Sequence, residues 1–264
     1  MILLSNQDTF WMLDIMLYSI YKNVDTDFID TIFIADIGLS EKSKRALSRY
    51  KHVQLIHTGH VINGGRADVH TSEWNDAVWQ KTTAIQWVLE RTDLPLIYSD
   101  VDVIVCHDFA QFIDPEYDFQ VTVRGVPAHF KKYNGKLISS FFIFNNHDAS
   151  IRMIEQVRAR MKELQDSGQR PPYETQGLNE INLSQWKTGA VWDDNISCEN
   201  NYIDDYTAII HYKTNPLCKN NTLARLFLIY LRRIDVVRAN IPRKYWRLLR
   251  QCVVNPNWVW YIKI

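Results

Sequence analysis

A chain of 264 residues, 46% hydrophobic and 23% charged, has enough apolar material for one large or two small domains. It is too hydrophobic to be disordered over most of its length. Thirty basic and thirty acidic side chains cancel, but unevenly: Lys213 to Ile264 holds 11 basic residues and one acid, Asp235, leaving 19 basic and 29 acidic before it. Such a basic end suits an anionic surface. No RNA- or DNA-binding motif accompanies the charge, so nucleic acid is not an expected partner. Cys106, Cys198, Cys218 and Cys252 form no CxxC pair, which argues against a zinc site and fits reduced thiols in a cytosolic protein. No run reaches the ~18 apolar residues of a membrane span. No basic-then-apolar leader is evident, so sequons at Asn182, Asn195 and Asn220 carry no weight.

Ile2-Leu3-Leu4 reads as a short strand. Asp8 or Thr9 can cap a helix from Phe10 to about Lys22. Thr31–Asp36 is a second strand, and a helix from Ser40 to about Tyr50 leads to a third, Val53–Ile56. This βαβαβ order predicts a parallel sheet with right-handed crossovers. A polar, glycine-containing loop spans Thr58 to Asn75, and a helix runs from Asp76 to Arg91. Leu96–Val105 is read as one strand, followed by strands at Phe119–Val123 and Leu137–Asn145. Ser150–Gln165 is amphipathic and helical, Glu174–Gln185 a shorter helix, and Ala208–His211 a last strand. Leu223–Arg233 and Pro242–Cys252 suggest basic amphipathic helices.

The strand Leu96–Val105 carries two carboxylates, Asp100 and Asp102, near the end of a hydrophobic, β-branched run. Buried carboxylates are costly unless paired, protonated or bound to a metal. Strand alternation would put both on one side, offering two hard oxygen ligands to a divalent cation that also takes phosphate oxygens. The carboxyl end of a central strand in an open α/β sheet is where ligands bind. The alternative is a surface turn, where Asp-x-Asp often falls by chance.

His211 follows an apolar strand and Lys213 lies two residues on. A lone histidine is usually structural. Beside a carboxylate pair it suits a transition metal such as Mn²⁺, with the lysine as a point charge on a diphosphate.

With these residues in view, the chain resembles GT-A nucleotide-sugar glycosyltransferases, most closely the retaining glycogenin-like and plant cell-wall galactosyl- and xylosyltransferase-like types. The resemblance rests on Tyr98-Ser99-Asp100-Val101-Asp102-Val103 with His107-Asp108-Phe109, on Ser139–Asn145, on Glu174-Thr175-Gln176-Gly177-Leu178-Asn179, and on His211-Tyr212-Lys213. It extends over residues 1 to about 214 and not over the basic tail. Two departures stand out: an expected Asp-Gln pair reads Glu-Thr-Gln, and no Pro-Trp follows Lys213.

The resemblance implies an α/β fold with a mostly parallel, Rossmann-like sheet flanked by helices over residues 1–214; the basic helical extension expected over 215–264 rests on its charge and amphipathic pattern alone. It implies metal ligation by Asp100, Asp102 and His211, with Asp100 on the ion, the ribose or both, and Mn²⁺ (or Mg²⁺) as the ion. Donor contacts fall to Ser5, Asn6, Asp36, Lys81, Ser99, Asp100 and Lys213, with Arg66 a weaker candidate. Ser5, Asn6 and Asp36 have equally good turn or cap readings. Glu174 and Gln176 are the candidate catalytic residues, either beneath the anomeric carbon or as a base on the acceptor. Asp193-Asp194 is a further carboxylate pair, more readily a turn. Trp186 and Trp192 can stack on acceptor sugar or belong to the core.

The expected activity is metal-dependent transfer from a nucleotide-diphosphate sugar, UDP by default, to a glycan, lipid-linked or protein-linked acceptor, with retention. The basic tail either contacts anionic lipid or packs on the domain, and the expected location is cytoplasmic, peripheral at the inner face of a membrane. Two rivals are a sugar nucleotidyltransferase, which normally has a glycine-rich first loop where this chain has Ser5-Asn6-Gln7-Asp8, and a non-catalytic glycan- or membrane-binding module.

Overall fold

The computed structural model describes residues 1–59, 61–62, 72–105, 107–125, 135–169, 173–192, 196–197 and 208–211. Seven strands form the main sheet: β1 (Ile2–Ser5), β2 (Ile32–Asp36), β3 (Val53–His57), β4 (Leu96–Ser99), β6 (Phe119–Val123), β7 (Leu137–Phe144) and β8 (Thr188–Trp192). Their order is β3-β2-β1-β4-β7-β6-β8. All run in one direction except β7, which is antiparallel to both β4 and β6. A second, three-stranded sheet is built from β5 (Val103–Val105), β9 (Ile196–Ser197) and β10 (Ile209–His211), in the order β5-β10-β9. The fold is therefore the mostly parallel α/β sheet expected of GT-A proteins.

Strand alternation assigns the core to two faces. Leu3, Ile34, Ile97, Phe141 and Ile143 point to one side, where α1 (Phe10–Asn23), α2 (Glu41–Leu47) and the small sheet contribute Leu13, Leu17, Leu47, Val105 and Ile209. Ile2, Tyr98, Phe142 and Phe144 point to the other, toward α3 (Ser72–Leu89), α4 (His147–Asp166) and α5 (Tyr173–Glu180). Each fully buried Leu, Ile or Phe contributes about 1.5–3 kcal/mol.

Helix α4 buries Ala149, Ser150, Met153, Ile154, Val157, Met161 and Leu164, the three-and-four spacing of one helical face. Asn146 caps it by accepting from Ala149 N–H, and Asp148 sits in its first turn, as helix polarity favours. Thr9, one of the two expected candidates, is the N-cap residue of α1, but its side chain makes no capping bond; Asn6 Oδ1 instead accepts from the N–H groups of Asp8 and Thr9 in the preceding turn.

Several elements differ from the sequence reading. The segment read as one strand over Leu96–Val105 is two strands in two sheets. β4 ends at Ser99, Asp100 N–H makes a last bond to Ser140 O (2.8 Å), and the chain bends through Val101–Asp102. The helix expected over Glu174–Gln185 stops at Glu180, and a 3₁₀ turn at Leu183–Gln185 follows, capped by Asn182. β8 has no counterpart in the sequence reading, because Thr-Gly-Ala-Val-Trp is short and has two weak strand formers in its first half. The glycine has a reason: a Cβ at Gly189 would lie 2.6 Å from the Tyr117 ring.

No described helix is long and apolar enough to cross a membrane. The basic helices expected beyond residue 214, and with them the boundary of the extension, lie outside the described residues.

Candidate active site

The strand-end residues Ser5, Asp36 and Ser99 bring the site to the carboxyl edge of the parallel strands, where an open α/β sheet binds ligands. Ser5 and Asp36 are neighbours in the β1–β2 register.

Three metal-competent side chains converge at the junction of the two sheets. Asp100 leaves the end of β4, Asp102 lies in the bend before β5, and His211 ends β10. β10 pairs antiparallel with β5, setting His211 opposite Val103 and so beside Asp102. His211 Nε2 lies 2.9 Å from Asp102 Oδ1 and 3.9 Å from Asp100 Oδ2. One donor atom from each of the three falls within 4.8 Å of the others. Adjacent donors on an octahedral ion at about 2.1 Å sit about 3 Å apart. Two hard oxygens, an imidazole and this spacing therefore fit a divalent cation. Strand alternation, the expected cause of the shared direction of Asp100 and Asp102, is not the actual one, since neither residue is in a strand.

Behind the carboxylates lies a buried ionic network. Lys81 on α3 and Glu174 on α5 are each 5% exposed. Lys81 Nζ is 2.8 Å from Glu174 Oε1, 3.0 Å from Oε2, 2.7 Å from Ser139 O and 3.5 Å from Asp100 Oδ1, and it sits 4.5 Å above the Tyr98 ring. Ser139 Oγ donates to Glu174 Oε2 at 2.9 Å. Burial pushes the Glu174 carboxyl above its ordinary range, and Lys81 offsets only part of that. Burial works against the Lys81 ammonium, but Asp100 and Glu174 outweigh it and raise its pKa. Burial, then the charges of Asp100 and Glu174, raise Tyr98 well above the ordinary phenol value. With Glu174, Asp100 and a carbonyl around it, the Lys81 ammonium is already saturated. To reach a donor phosphate it must release one of them.

The other candidates divide. Ser99 is fully buried, and its hydroxyl donates to Asp100 O at 2.9 Å. Ser5 Oγ and Thr9 Oγ1 share a hydrogen bond at 2.9 Å, and Thr9 Oγ1 donates to Asn6 Oδ1 at 3.0 Å, so Ser5 and Asn6 shape the turn after β1. Asp36 Oδ1 accepts from Gly38 N–H and Leu39 N–H, and Oδ2 lies 3.1 Å from Lys44 Nζ and 3.5 Å from His57 Nδ1. Burial alone would raise the Asp36 carboxyl; the two N–H groups and Lys44 more than reverse it and hold it low.

Gln176 is placed away from the network: its amide donates to Gln169 Oε1 and Glu180 Oε1 on the exposed side of α5. Thr175, not singled out in the sequence, is on the site side, its hydroxyl 3.2 Å from Ser139 Oγ. Trp186 packs edge-on against Phe119 at 5.6 Å, a core role. Arg66, Asp193, Asp194 and Lys213 lie outside the described residues, as does the side chain of Trp192. Asn179, the last residue of the Glu174–Asn179 motif, is given no role by the sequence. Its amide donates to Leu137 O (3.1 Å) and its carbonyl accepts from Leu137 N–H (2.8 Å), fixing α5 to the start of β7. Gly135, at φ +129°, packs so closely there that a Cβ would overlap the Asn179 side chain.

Comparison with known proteins gives the family and agrees with the fold. A family model of nucleotide-diphospho-sugar transferases matches residues 39–214, and the chain belongs to that family. It is a glycosyltransferase with a GT-A fold. Among solved structures, the galactosyltransferase LgtC, in complex with donor and acceptor sugar analogues, superposes with a TM-score of 0.59 at 12% identity, over 94% of this chain and 99% of that one. The glycosyltransferase GlyE of Streptococcus pneumoniae TIGR4 gives 0.58 at 11% identity, over 95% of this chain and 63% of its own. The bifunctional glycosyltransferase WbbM gives 0.55 at 13% identity, over 95% of this chain and 51% of its own. At these identities the likeness is one of fold. No curated protein matches the chain.

Proposed function

We propose that this glycosyltransferase uses a UDP-sugar and a divalent cation, Mn²⁺ or Mg²⁺, held by Asp100, Asp102 and His211. The observation that carries this reading is the convergence of those three side chains beside the Lys81–Glu174 pair. Sugar transfer from a diphosphate leaves negative charge on the departing oxygen, and a bound cation supplies Lewis-acid stabilisation of that charge. The chain's own residues do the rest. Ser99 and Ser140 O hold the backbone of Asp100 at the strand end. Lys81 and Ser139 hold Glu174 in a fixed orientation, as electrostatic preorganisation requires. Ser5, Asn6 and Asp36 shape the loops that would receive the nucleoside, and Lys213 would add positive charge at the diphosphate.

The acceptor in this reading is a glycan or a lipid-linked sugar, and the outcome is retention of anomeric configuration. Retention rests on the resemblance of the motif order to retaining enzymes; Glu174, buried behind the metal pair and held by Lys81 and Ser139, stands ready to act only if that network opens. The basic residues after 213 would rest on anionic lipid at the inner face of a membrane, which suits a lipid-linked acceptor.

The test is a thermal-shift panel of UDP-, GDP-, dTDP- and CMP-sugars, with and without Mn²⁺. Stabilisation by UDP-sugars only with metal is expected; no shift with any donor, even at high concentration, would sink the donor site. NMR of the product's anomeric proton then separates retention from inversion. Binding to anionic vesicles, compared with a chain lacking residues 223–264, tests the membrane contact.

A further inference from the structure

Tyr98 is 2% exposed and lies on the α3-facing side of β4. Its hydroxyl is 2.5 Å from Asp100 Oδ1, and its ring lies beneath Lys81 Nζ at 4.5 Å. A phenol donating to a carboxylate at this distance is a short, charge-assisted bond. Lys81 approaches the same oxygen, at 3.5 Å. The two oxygens of Asp100 are therefore unequal: Oδ1 is held from behind, and Oδ2 faces His211 Nε2 at 3.9 Å.

We propose that Tyr98 is a positioning residue of the metal centre: its hydroxyl pins Asp100 Oδ1, so that Asp100 offers Oδ2 alone to the cation shared with Asp102 and His211. The proposal rests on the metal reading of those three residues. Mg²⁺ and similar small ions demand near-octahedral geometry, whereas Ca²⁺ accepts more ligands and bidentate carboxylates. One oxygen from Asp100, one from Asp102 and one imidazole nitrogen leave about half of an octahedral ion's positions for phosphate and water. A carboxylate free to turn and bind through both oxygens would take another position and favour the larger ion. Tyr98 thus sets both affinity and ion preference without touching the ion.

The experiment is titration of the full chain, without donor, by Mn²⁺ and separately by Ca²⁺. Free Mn²⁺ is followed by paramagnetic resonance, and both ions by the rise in melting temperature. The proteins are wild type, Asp102→Ala, Tyr98→Phe and a packing control, Phe142→Leu, whose native ring is 6.3 Å from that of Tyr98. Wild type is expected to bind Mn²⁺ and Asp102→Ala to lose it. Tyr98→Phe should bind Mn²⁺ about 10–100-fold more weakly, the range for removing an outer partner of a metal ligand. Its affinity for Ca²⁺ should fall less, shifting the Mn²⁺/Ca²⁺ ratio; Phe142→Leu should lower the melting temperature and leave that ratio unchanged.

Tyr98→Leu, a second variant without the hydroxyl, should match Tyr98→Phe and serves if the phenylalanine form folds poorly. An unchanged ratio and a Mn²⁺ affinity close to that of wild type in the hydroxyl-free variants would make Tyr98 a packing residue and overturn the proposal. So would an equal shift of the ratio in Phe142→Leu. Failure of wild type itself to bind Mn²⁺ would overturn the metal reading and the proposal with it, and that result is visible from wild type alone.

Discussion

Asp102 and His211 are 109 positions apart in the chain, yet their side chains meet at 2.9 Å because Val103 and His211 are partners in the antiparallel ladder of β5 and β10. His211→Ala removes the nitrogen donor and leaves the carboxylates in place. Mn²⁺ affinity should fall by more than the ~10–100-fold typical of losing an outer partner, and turnover with it. Calorimetric titration with Mn²⁺ measures this; an unchanged isotherm would return His211 to a purely structural role.

Lys81 ties Asp100 to Glu174, meeting both carboxylates through one ammonium. Removing one partner of a buried pair strands the other charge, at a cost of about 3–5 kcal/mol. Lys81→Met should lower the urea midpoint accordingly. The double variant Lys81→Met/Glu174→Gln should recover part of that loss, because a neutral amide replaces the buried Glu174 carboxylate and only the partly exposed Asp100 loses its lysine. A double variant no more stable than the single would mean that the lysine acts through packing instead.

Asp36 provides a pH test of its own. The folded protein holds this carboxyl below the ordinary aspartate value of 3.8, so it binds a proton less readily folded than unfolded. Its contribution to stability is present above pH 3.8 and is lost as the pH falls through the lower, folded value. Asp36→Asn should therefore be less stable than wild type at neutral pH, and the gap should narrow in acid below the ordinary value. Chemical denaturation at neutral pH and near pH 3 reads the two ends; a gap that widens in acid would contradict the assignment.

The two residues after Glu174 differ in kind. The Thr175 hydroxyl reaches Ser139 within the site network, while Gln176 pairs along the surface of α5. Thr175→Val should reduce turnover more than Gln176→Ala does. Steady-state rates of nucleotide release compare them directly, and the reverse order would place the glutamine in the site.

Much of this is readable in the chain, for physical reasons. Strands such as Phe119–Val123 bury every side chain and announce themselves by aromatic and β-branched residues, here Phe119, Val121, Thr122 and Val123. Asp100 and Asp102 stand out because carboxylates beside such a run need a partner. The break between β4 and β5 is not legible: Leu-Ile-Tyr-Ser and Val-Ile-Val have the same strand character, and only the pairing of β5 with β10 shows that they belong to different sheets. The orientation of α5 is hidden for a related reason. Glu174, Thr175 and Gln176 are all polar, and it is the contact of Asn179 with Leu137 that fixes which of them turns inward. Lys81 is visible as a candidate, but its saturation by Glu174, Ser139 and Asp100 depends on three separate elements that sequence spacing does not bring together.

The placement of His211 also orders events during synthesis. Every strand of the seven-stranded sheet lies before residue 193, and both metal carboxylates emerge in the first half of the chain. The nitrogen donor comes on the last described strand. A chain ending before Ile209 contains every strand of the large sheet and both carboxylates, but lacks the histidine of the proposed cation set and the Ile209 side chain that packs in the core. In the proposed reading, cation binding thus waits on three residues, Ile209 to His211, and a chain stopped just ahead of them should lose Mn²⁺ affinity together with the strand that pairs with β5.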